Sequence, residues 1–201
     1  LSLGLLLSVG CDGANRDFCH WTDPTCGDLD WDGDGLINSL DDDPANPHPC
    51  QTGTWEEKAL SGCKQLANAH LQNGDLTGLD LVGADLTGAD LTGVDLTSTD
   101  LTGADLTGAD LTSADLMGAN LTNANLTNAD LTNADLTGAD LWGVELMKAN
   151  LTKANLKDAN FANANLTETD LTKANLTDAN LRFADLENAN LTGCDLTGTD
   201  L

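Results

Sequence analysis

The chain has 201 residues, and its 33 acidic and 8 basic side chains give a net charge of −25, with only 3% aromatic residues. Such a negative charge disfavours direct binding to nucleic acid or to an anionic membrane face. The length allows one elongated domain preceded by a small leader segment.

The first eleven residues predict an export signal. Residues 1–10 are apolar and small, and Cys11 follows them. Ten residues are too few to span a bilayer, but they match the apolar region of a secretion signal. The sequence contains neither the initiating Met nor the basic segment that precede this region in a complete signal. We therefore expect the sequence to begin inside a signal peptide.

The run Leu-Ser-Val-Gly-Cys at 7–11 resembles a bacterial lipobox, with Ser8 in place of the usual Leu. The resemblance implies that Cys11 is lipidated and tethers the protein to a membrane without a spanning helix. The expected location is the bacterial cell envelope or the extracellular space. An ordinary cleaved signal and a structural N-terminal strand are the alternatives.

Four more cysteines precede the repetitive part of the chain and are the disulfide candidates: Cys19, Cys26, Cys50 and Cys63. An even number of cysteines after an export signal predicts two disulfides, and three connectivities remain open. The alternative is a zinc site that uses Cys19, His20 and Cys26, although the segment has no CxxC pair.

Within the leader segment 12–53, residues 30–41 predict a structural calcium site. A tight turn at Gly35 would fold alternate acidic side chains around one hard cation. The predicted ligands are Asp30, Asp32, Asp34, the carbonyl of Leu36, Asn38 and Asp41. Asp41 stands where an EF-hand has Glu and the flanks lack helical signals, so the loop resembles the DxDxDG loops of thrombospondin type 3 repeats. A solvated acidic linker is the alternative.

Residues 54–68 predict a short capping helix. Thr54 and Glu57 form a capping box, and the apolar residues over 55–67 fall near helical spacing. We expect this helix to bury Trp55, Leu60 and Leu66 against the first coil of the domain that follows. A partner-binding helix is the alternative.

From residue 69 to residue 201, one five-residue phrase repeats without a break. With Leu as position i, 27 copies run from Leu71 to Leu201, and only Phe161 replaces Leu. Position i−2 is Ala in most copies and mostly small in the others, and position i−1 is almost always Asp or Asn. On a helix, each step of five would rotate the Leu by about 140°, so no apolar stripe would form. In a flat strand, leucines five residues apart would lie on opposite faces of the sheet, because five is an odd number. Short extended steps joined by corners fit both constraints, which predicts a β-solenoid.

The A(D/N)LTx phrase, as in residues 104–108, resembles the pentapeptide-repeat family. That resemblance implies an all-β fold: a right-handed, four-sided parallel β-helix with four copies, or 20 residues, per coil and nearly seven coils in all. It also implies that Leu fills the centre, that i−2 fits beside it, and that positions i−1, i+1 and i+2 face solvent.

The sequence contains no catalytic constellation, and the regular Asp positions face water, where their pKa values need not shift. We expect a non-enzymatic, exported, lipid-anchored protein that serves as a rigid scaffold or interaction surface for an unknown protein partner. Trp142, Met147 and Phe183, at outward positions, are candidate contact points.

Two further expectations concern partners. Some pentapeptide-repeat proteins mimic DNA and inhibit or protect type II topoisomerases, and the acidic rod makes this the alternative function. Because Leu201 occupies a core position at the end of the sequence, we also expect an end-to-end homodimer through the C-terminal coil. A sequence that lacks the true C-terminus is the alternative.

Overall fold

The computed structural model describes residues 66–201. Over this range the chain contains no helix, and each copy consists of a two-residue turn followed by a single bridge residue at position i−1. The bridges are parallel and join residues 20 apart, from His70↔Asp90 to Asn180↔Asp200. Four five-residue copies therefore make one coil, as predicted, and the domain is a four-sided parallel β-helix.

The first coil begins at Leu66, before the predicted boundary at residue 69. Leu66 is fully buried, and its N–H donates to the carbonyl of Asp85 in the next coil. Residues 67–68 form the turn of that copy, so the predicted capping helix does not extend over 66–68. The range 66–201 thus holds 28 copies in seven coils, and a coil spacing of about 4.8 Å makes the rod roughly 30 Å long.

Adjacent coils are joined by three backbone hydrogen bonds per copy. The N–H of position i donates to a carbonyl at i−1 of the next coil, as from Leu91 to Asp110 (2.7 Å). The N–H of i+2 also donates to the next coil, as from Gly93 to Thr112 (2.9 Å). The N–H of i−1 donates to the previous coil, as from Asp90 to Ala69 (2.8 Å). Each coil therefore depends on both neighbours for its backbone hydrogen bonds.

Each corner is a turn closed by the N–H of i−2, which donates to the preceding Leu carbonyl, as from Ala104 to Leu101 (3.0 Å). The second central residue of the turn, position i+2, has a positive φ throughout, which is the geometry of a type II turn. Glycine adopts this conformation without strain, and it occupies i+2 in copies such as that of Gly108 (φ 66°). Asn, Ser, Lys, Asp, Glu and one Phe occupy the others.

The core consists of the residues at i and i−2, as predicted. Leu at i is fully or almost fully buried up to Leu181, and Phe161 is the largest completely buried side chain. At i−2 the buried hydroxyls of Thr99 and Thr169 donate to the carbonyls of Leu76 and Leu146 (2.7 and 2.8 Å). These two polar residues are therefore hydrogen-bonded inside an otherwise apolar core.

Candidate interaction surface

Four faces run along the rod, and each is named here by its column of residues at i−1. Face 1 carries residues 70 to 190 at intervals of 20, and face 2 carries 75 to 195 in the same way. Face 3 carries 80 to 200, and face 4 carries 85 to 185. Positions i+1 and i+2 of each copy lie beside the residue at i−1, so every face presents three columns of outward side chains.

The Asp or Asn side chain at i−1 supplies an acceptor for the backbone N–H at i+1, which the bonds between coils and at the corners leave unpaired. Its Oδ1 accepts from the N–H at i+1, as Asp110 does from Thr112 (2.9 Å) and Asn175 from Thr177 (3.1 Å). With this bond all five N–H groups of a copy are satisfied. The repeat phase predicts that i−1 lies on the surface but does not predict this role, for which the restriction to Asp and Asn is the sequence signal.

The Thr at i+1 links the side chains of successive coils. Its hydroxyl donates to the residue at i−1 of its own copy, as from Thr102 to Asp100 (2.6 Å). Where the next coil carries Asn at i−1, that amide donates back to the hydroxyl, as from Asn120 to Thr102 (2.8 Å). Stacked asparagines also bond directly, as Asn180 does to Asn160 (2.9 Å). Asn side chains in successive coils therefore hydrogen-bond along the rod.

The same hydrogen bonds lower the pKa of some of the Asp carboxyl groups. For Asp135, partial burial raises the pKa, but hydrogen bonds from the hydroxyl and N–H of Thr137 and from the amide of Asn155 outweigh burial and hold the pKa below its usual value. For Asp95, the hydroxyl and N–H of Thr97 lower the pKa. These groups act as ionised hydrogen-bond acceptors, which is a structural rather than an acid–base role.

The surface charge changes along the rod. From Asp75 to Asp115, every residue at i−1 is Asp, and this part of the rod carries no Lys or Arg. Basic residues appear only from Lys148 onward. Exposed ion pairs such as Arg182 with Asp200 (3.7 Å) lie in this second half, and pairs of this kind contribute little to stability. The N-terminal half is therefore the strongly negative part of the surface.

Exposed apolar side chains concentrate on face 3 and beside it. Trp142 is 43% exposed and Phe183 is 82% exposed, both on face 3. Met147 is exposed on the adjoining face 4, in the copy that follows Trp142. All three were predicted as outward contact points from the repeat phase. Met117 is exposed on face 2 (41%), away from this group.

Most of the predicted site residues lie outside the described residues. These are the calcium ligands, the lipidation site and the four disulfide candidates: Asp30, Asp32, Asp34, Leu36, Asn38, Asp41, Cys11, Cys19, Cys26, Cys50 and Cys63. In the part of the chain that the structure describes, no group of three or more His, Cys, Asp and Glu side chains is placed to hold a metal ion. Residues 66–201 also contain no helix with the length and hydropathy needed to cross a membrane.

Cys194 lies at position i−2 near the last coil and is half-buried. Its Sγ donates to the carbonyl of Leu171 (2.8 Å), as the hydroxyl of Thr199 does to Leu176 (2.8 Å). Burial raises the pKa of the Cys194 thiol, so the reactive thiolate is disfavoured. Cys194 therefore behaves as a small packing residue, as its repeat position predicted.

The last coil is less covered than the others. Leu201 is 75% exposed, and Leu196 is also exposed, although both occupy position i. The homodimer through this coil stays a prediction.

Comparison with protein families matches the model for pentapeptide repeats, with eight copies over residues 65–103, 104–143, 114–152, 145–182 and 174–201. Together these ranges cover the whole solenoid. The chain belongs to the pentapeptide-repeat family, and membership implies the right-handed sense of the four-sided β-helix.

Solved structures of the family resemble this chain. HetL, a pentapeptide-repeat protein involved in heterocyst differentiation regulation in the cyanobacterium Nostoc sp., is 38% identical over 68% of this chain and 71% of its own, with a TM-score of 0.45. A thylakoid-lumen protein of Arabidopsis thaliana is 34% identical over 48% of this chain and 68% of its own (TM-score 0.47). QnrB1, a plasmid-mediated fluoroquinolone resistance protein, is 21% identical over 67% and 82% (TM-score 0.44). Among curated protein sequences, none matches this chain significantly.

Proposed function

We propose that this chain is a non-enzymatic, exported and lipid-anchored pentapeptide-repeat protein that serves as a rigid scaffold or protein-interaction surface. The observation that carries the proposal is the pairing of almost all backbone N–H groups in the interior copies, through coil-to-coil bonds and the side chain at i−1. Such a rod holds its outward side chains at fixed spacings, and this preorganises a surface for binding.

Lipid anchoring at Cys11 rests on the signal-like residues 1–10 and the lipobox-like run 7–11. The test is expression of the gene with its own upstream codons in a bacterial host fed an alkyne fatty acid. We expect label on the wild type and its recovery in the membrane fraction. Cys11→Ser should lose both, whereas Cys194→Ser is the matched control and should keep both. Label on the Cys11→Ser variant, or none on the wild type, would contradict the anchor.

We further propose that residues 30–41 bind calcium and that calcium stabilises the leader segment. The test is calorimetric titration of the full chain with calcium. The Asp32→Ala/Asp34→Ala variant removes two predicted ligands and should lose the binding heat. Asp42→Ala/Asp43→Ala removes the same charge outside the predicted ligand set and should keep it. Equal binding by both variants would mean that calcium only screens an acidic linker.

The two predicted disulfides would stabilise the same leader segment. Intact mass and peptide mapping of the exported protein without reductant test them. We expect Cys19, Cys26, Cys50 and Cys63 to resist alkylation until the protein is reduced. Free alkylation of all four before reduction would exclude the disulfides, and zinc-dependent protection of Cys19 and Cys26 would favour the metal alternative.

A second candidate function is mimicry of DNA toward a type II topoisomerase, favoured by the unbroken Asp columns between Asp75 and Asp115. A supercoiling assay with purified gyrase separates the candidates. For an exported scaffold we expect no effect on supercoiling at micromolar protein. Inhibition or protection, together with recovery of the protein from the cytoplasm, would favour the mimic.

A further inference from the structure

Three consecutive coils of face 3 depart from the Thr pattern at position i+1. The residues there are Trp142, Ala162 and Arg182, and Phe183 follows at i+2. The backbone bonds from Asn123 to Trp142 and from Asn163 to Arg182 (2.9 and 3.0 Å) keep these copies in register. With a coil spacing of about 4.8 Å, Trp142 and Arg182 lie roughly 10 Å apart along the rod. The four residues, here called the face-3 patch, are close enough for one partner to contact.

Phe183 has a strained backbone conformation, and no burial of its side chain compensates for the strain. Its φ is 62°, in the left-handed region that a bulky aromatic residue rarely adopts. Its side chain is 82% exposed, so burial does not offset the strain. Other copies place Gly or polar residues at i+2, and Gly193 is one example. A strained, exposed aromatic residue beside an exposed Trp points to a role outside folding.

The composition of the patch is that of a protein-binding surface. Trp and Arg are enriched among the residues that dominate protein–protein binding, and Phe and Met are enriched in the buried centres of interfaces. Met147 lies exposed in the copy that follows Trp142 and extends the apolar area onto face 4.

The negative charge of the N-terminal half of the rod favours a partner that carries basic residues. Along face 3, Asp80 and Asp100 lie in the N-terminal half, which has Asp at each i−1 position from Asp75 to Asp115 and no Lys or Arg. A partner lying along this face would meet apolar side chains at one end and carboxylates at the other. A second copy of the chain would bring its own charge of −25 against them.

We propose that the face-3 patch docks a protein segment that has an apolar centre flanked by Lys or Arg. This inference rests on the proposed interaction function and assigns it a face and a partner chemistry. Trp142 and Phe183 bind the apolar centre, and the Asp residues of the N-terminal half attract the basic flank and speed association.

The test uses a phage-displayed library of random 16-residue peptides selected on the immobilised full chain, with the selected peptides then synthesised and titrated. The double variant Trp142→Thr/Phe183→Gly puts the commonest residues of the repeat at both positions, so it should fold. The matched control is Met117→Thr, which removes an apolar side chain of about the same exposure as Trp142 from face 2.

We expect selected peptides that combine apolar and basic residues, bind the double variant at least ten-fold more weakly than the wild type, and bind Met117→Thr unchanged. Equal binding to wild type and double variant would overturn the face-3 assignment but leave the proposed interaction function standing. Selection of acidic peptides would overturn the partner chemistry. If no selected peptide binds better than its scrambled version, both the inference and the interaction function fail.

Sedimentation of the full chain tests whether a second copy of the chain, rather than another protein, occupies the face-3 patch. We expect the wild type and the double variant to have the same association state. Self-association of the wild type that the double variant loses would make the patch a contact between copies and would overturn the proposal.

Discussion

The side-chain amide of Asn150 donates a hydrogen bond to the hydroxyl of Thr132, at 2.8 Å, although the two residues are 18 positions apart in the chain. Asn150 lies on face 1 between Asp130 and Asp170, its bridge partners in the coils before and after. It therefore separates two carboxylates and ties one coil to the next, which an Asp at the same place could not do.

Asn150→Asp should destabilise the rod. The change removes a donor to Thr132 and makes the column from Asp90 to Asp170 an unbroken row of five carboxylates. We therefore expect a loss of about 1–2 kcal/mol in the free energy of unfolding at low salt. Part of the loss should disappear at high salt, which screens the repulsion but does not restore the bond. Urea unfolding followed by far-ultraviolet circular dichroism measures both.

The control is Asn133→Asp, an equal charge change at an exposed i+2 position, where Asp158 and Asp178 already occur. It should change stability by less than about 0.5 kcal/mol. If the two variants lose the same stability, the side-chain ladder of face 1 does not stabilise the rod.

The fold was predictable from sequence to an unusual degree because one phrase repeats. The inward phase of Leu at i and Ala at i−2 follows from their apolar character, and burial confirms it from Ala69 to Leu181. The first copy was missed because Leu66 also fits the helical spacing of the segment before it. Only its buried side chain and its bond to Asp85 assign it to the solenoid.

The surface was less predictable, and the reason is physical. Hydrophobic period indicates which side chains face outward but not which atoms they contact. The bond from Asn120 to Thr102 depends on coil register, which places residues 18 apart side by side. Similarly, Trp142 and Arg182 become neighbours on face 3 only once four copies per coil is established. The predicted site residues between 11 and 63 lie outside the residues that the structure describes, and their roles stay predictions.

Acid should weaken the rod partly through Asp135. Hydrogen bonds from Thr137 and Asn155 lower the pKa of this carboxyl in the folded state. A lowered folded pKa contributes stability that is fully present above the unfolded pKa, near 3.8, and is lost as pH falls through the folded pKa. Asp135→Asn keeps a side-chain acceptor for the N–H of Thr137 but removes the titration. We therefore expect the variant to lose less stability than wild type between pH 6 and pH 3.

Thermal unfolding at several pH values checks this expectation. Asp178→Asn, at an exposed i+2 position, is the control for the loss of one carboxylate. A profile of Asp135→Asn that parallels wild type would show that the carboxylate bonds of this turn do not couple folding to pH.

Lys153 should be a position where glycine stabilises the chain. Its φ is 61°, and it is exposed at i+2. An L-residue in this conformation costs about 1–2 kcal/mol, while glycine loses about 0.5–1 kcal/mol more backbone entropy on folding. Lys153→Gly should therefore be more stable than Lys153→Ala by about 0.5–1 kcal/mol. Both variants remove the same charge, so the difference between their chemical-denaturation midpoints measures the effect of a Cβ atom at this position. Equal midpoints would mean that the corner tolerates a side chain without strain.

Phe161 should be the aromatic residue on which the C-terminal half of the core depends. It is fully buried at position i, one coil from Leu141 and one from Leu181. Phe161→Ala should cost about 3–5 kcal/mol, because it leaves a cavity on the rod axis. Phe161→Leu restores the usual residue and should cost less than about 1.5 kcal/mol. The same change at an exposed aromatic residue, Phe183→Ala, should cost almost nothing.

Each coil holds its neighbours, so the cavity at Phe161 should also reduce cooperativity. We expect the unfolding curve of Phe161→Ala to broaden, because the coils C-terminal to residue 161 should unfold at a lower denaturant concentration than the coils N-terminal to it. Hydrogen exchange resolved by peptide would then show faster exchange over 161–201 than over 66–140. Uniform exchange across the rod, with a single sharp transition, would mean that the seven coils behave as one cooperative unit and that the interfaces between them are stronger than the loss of one core side chain.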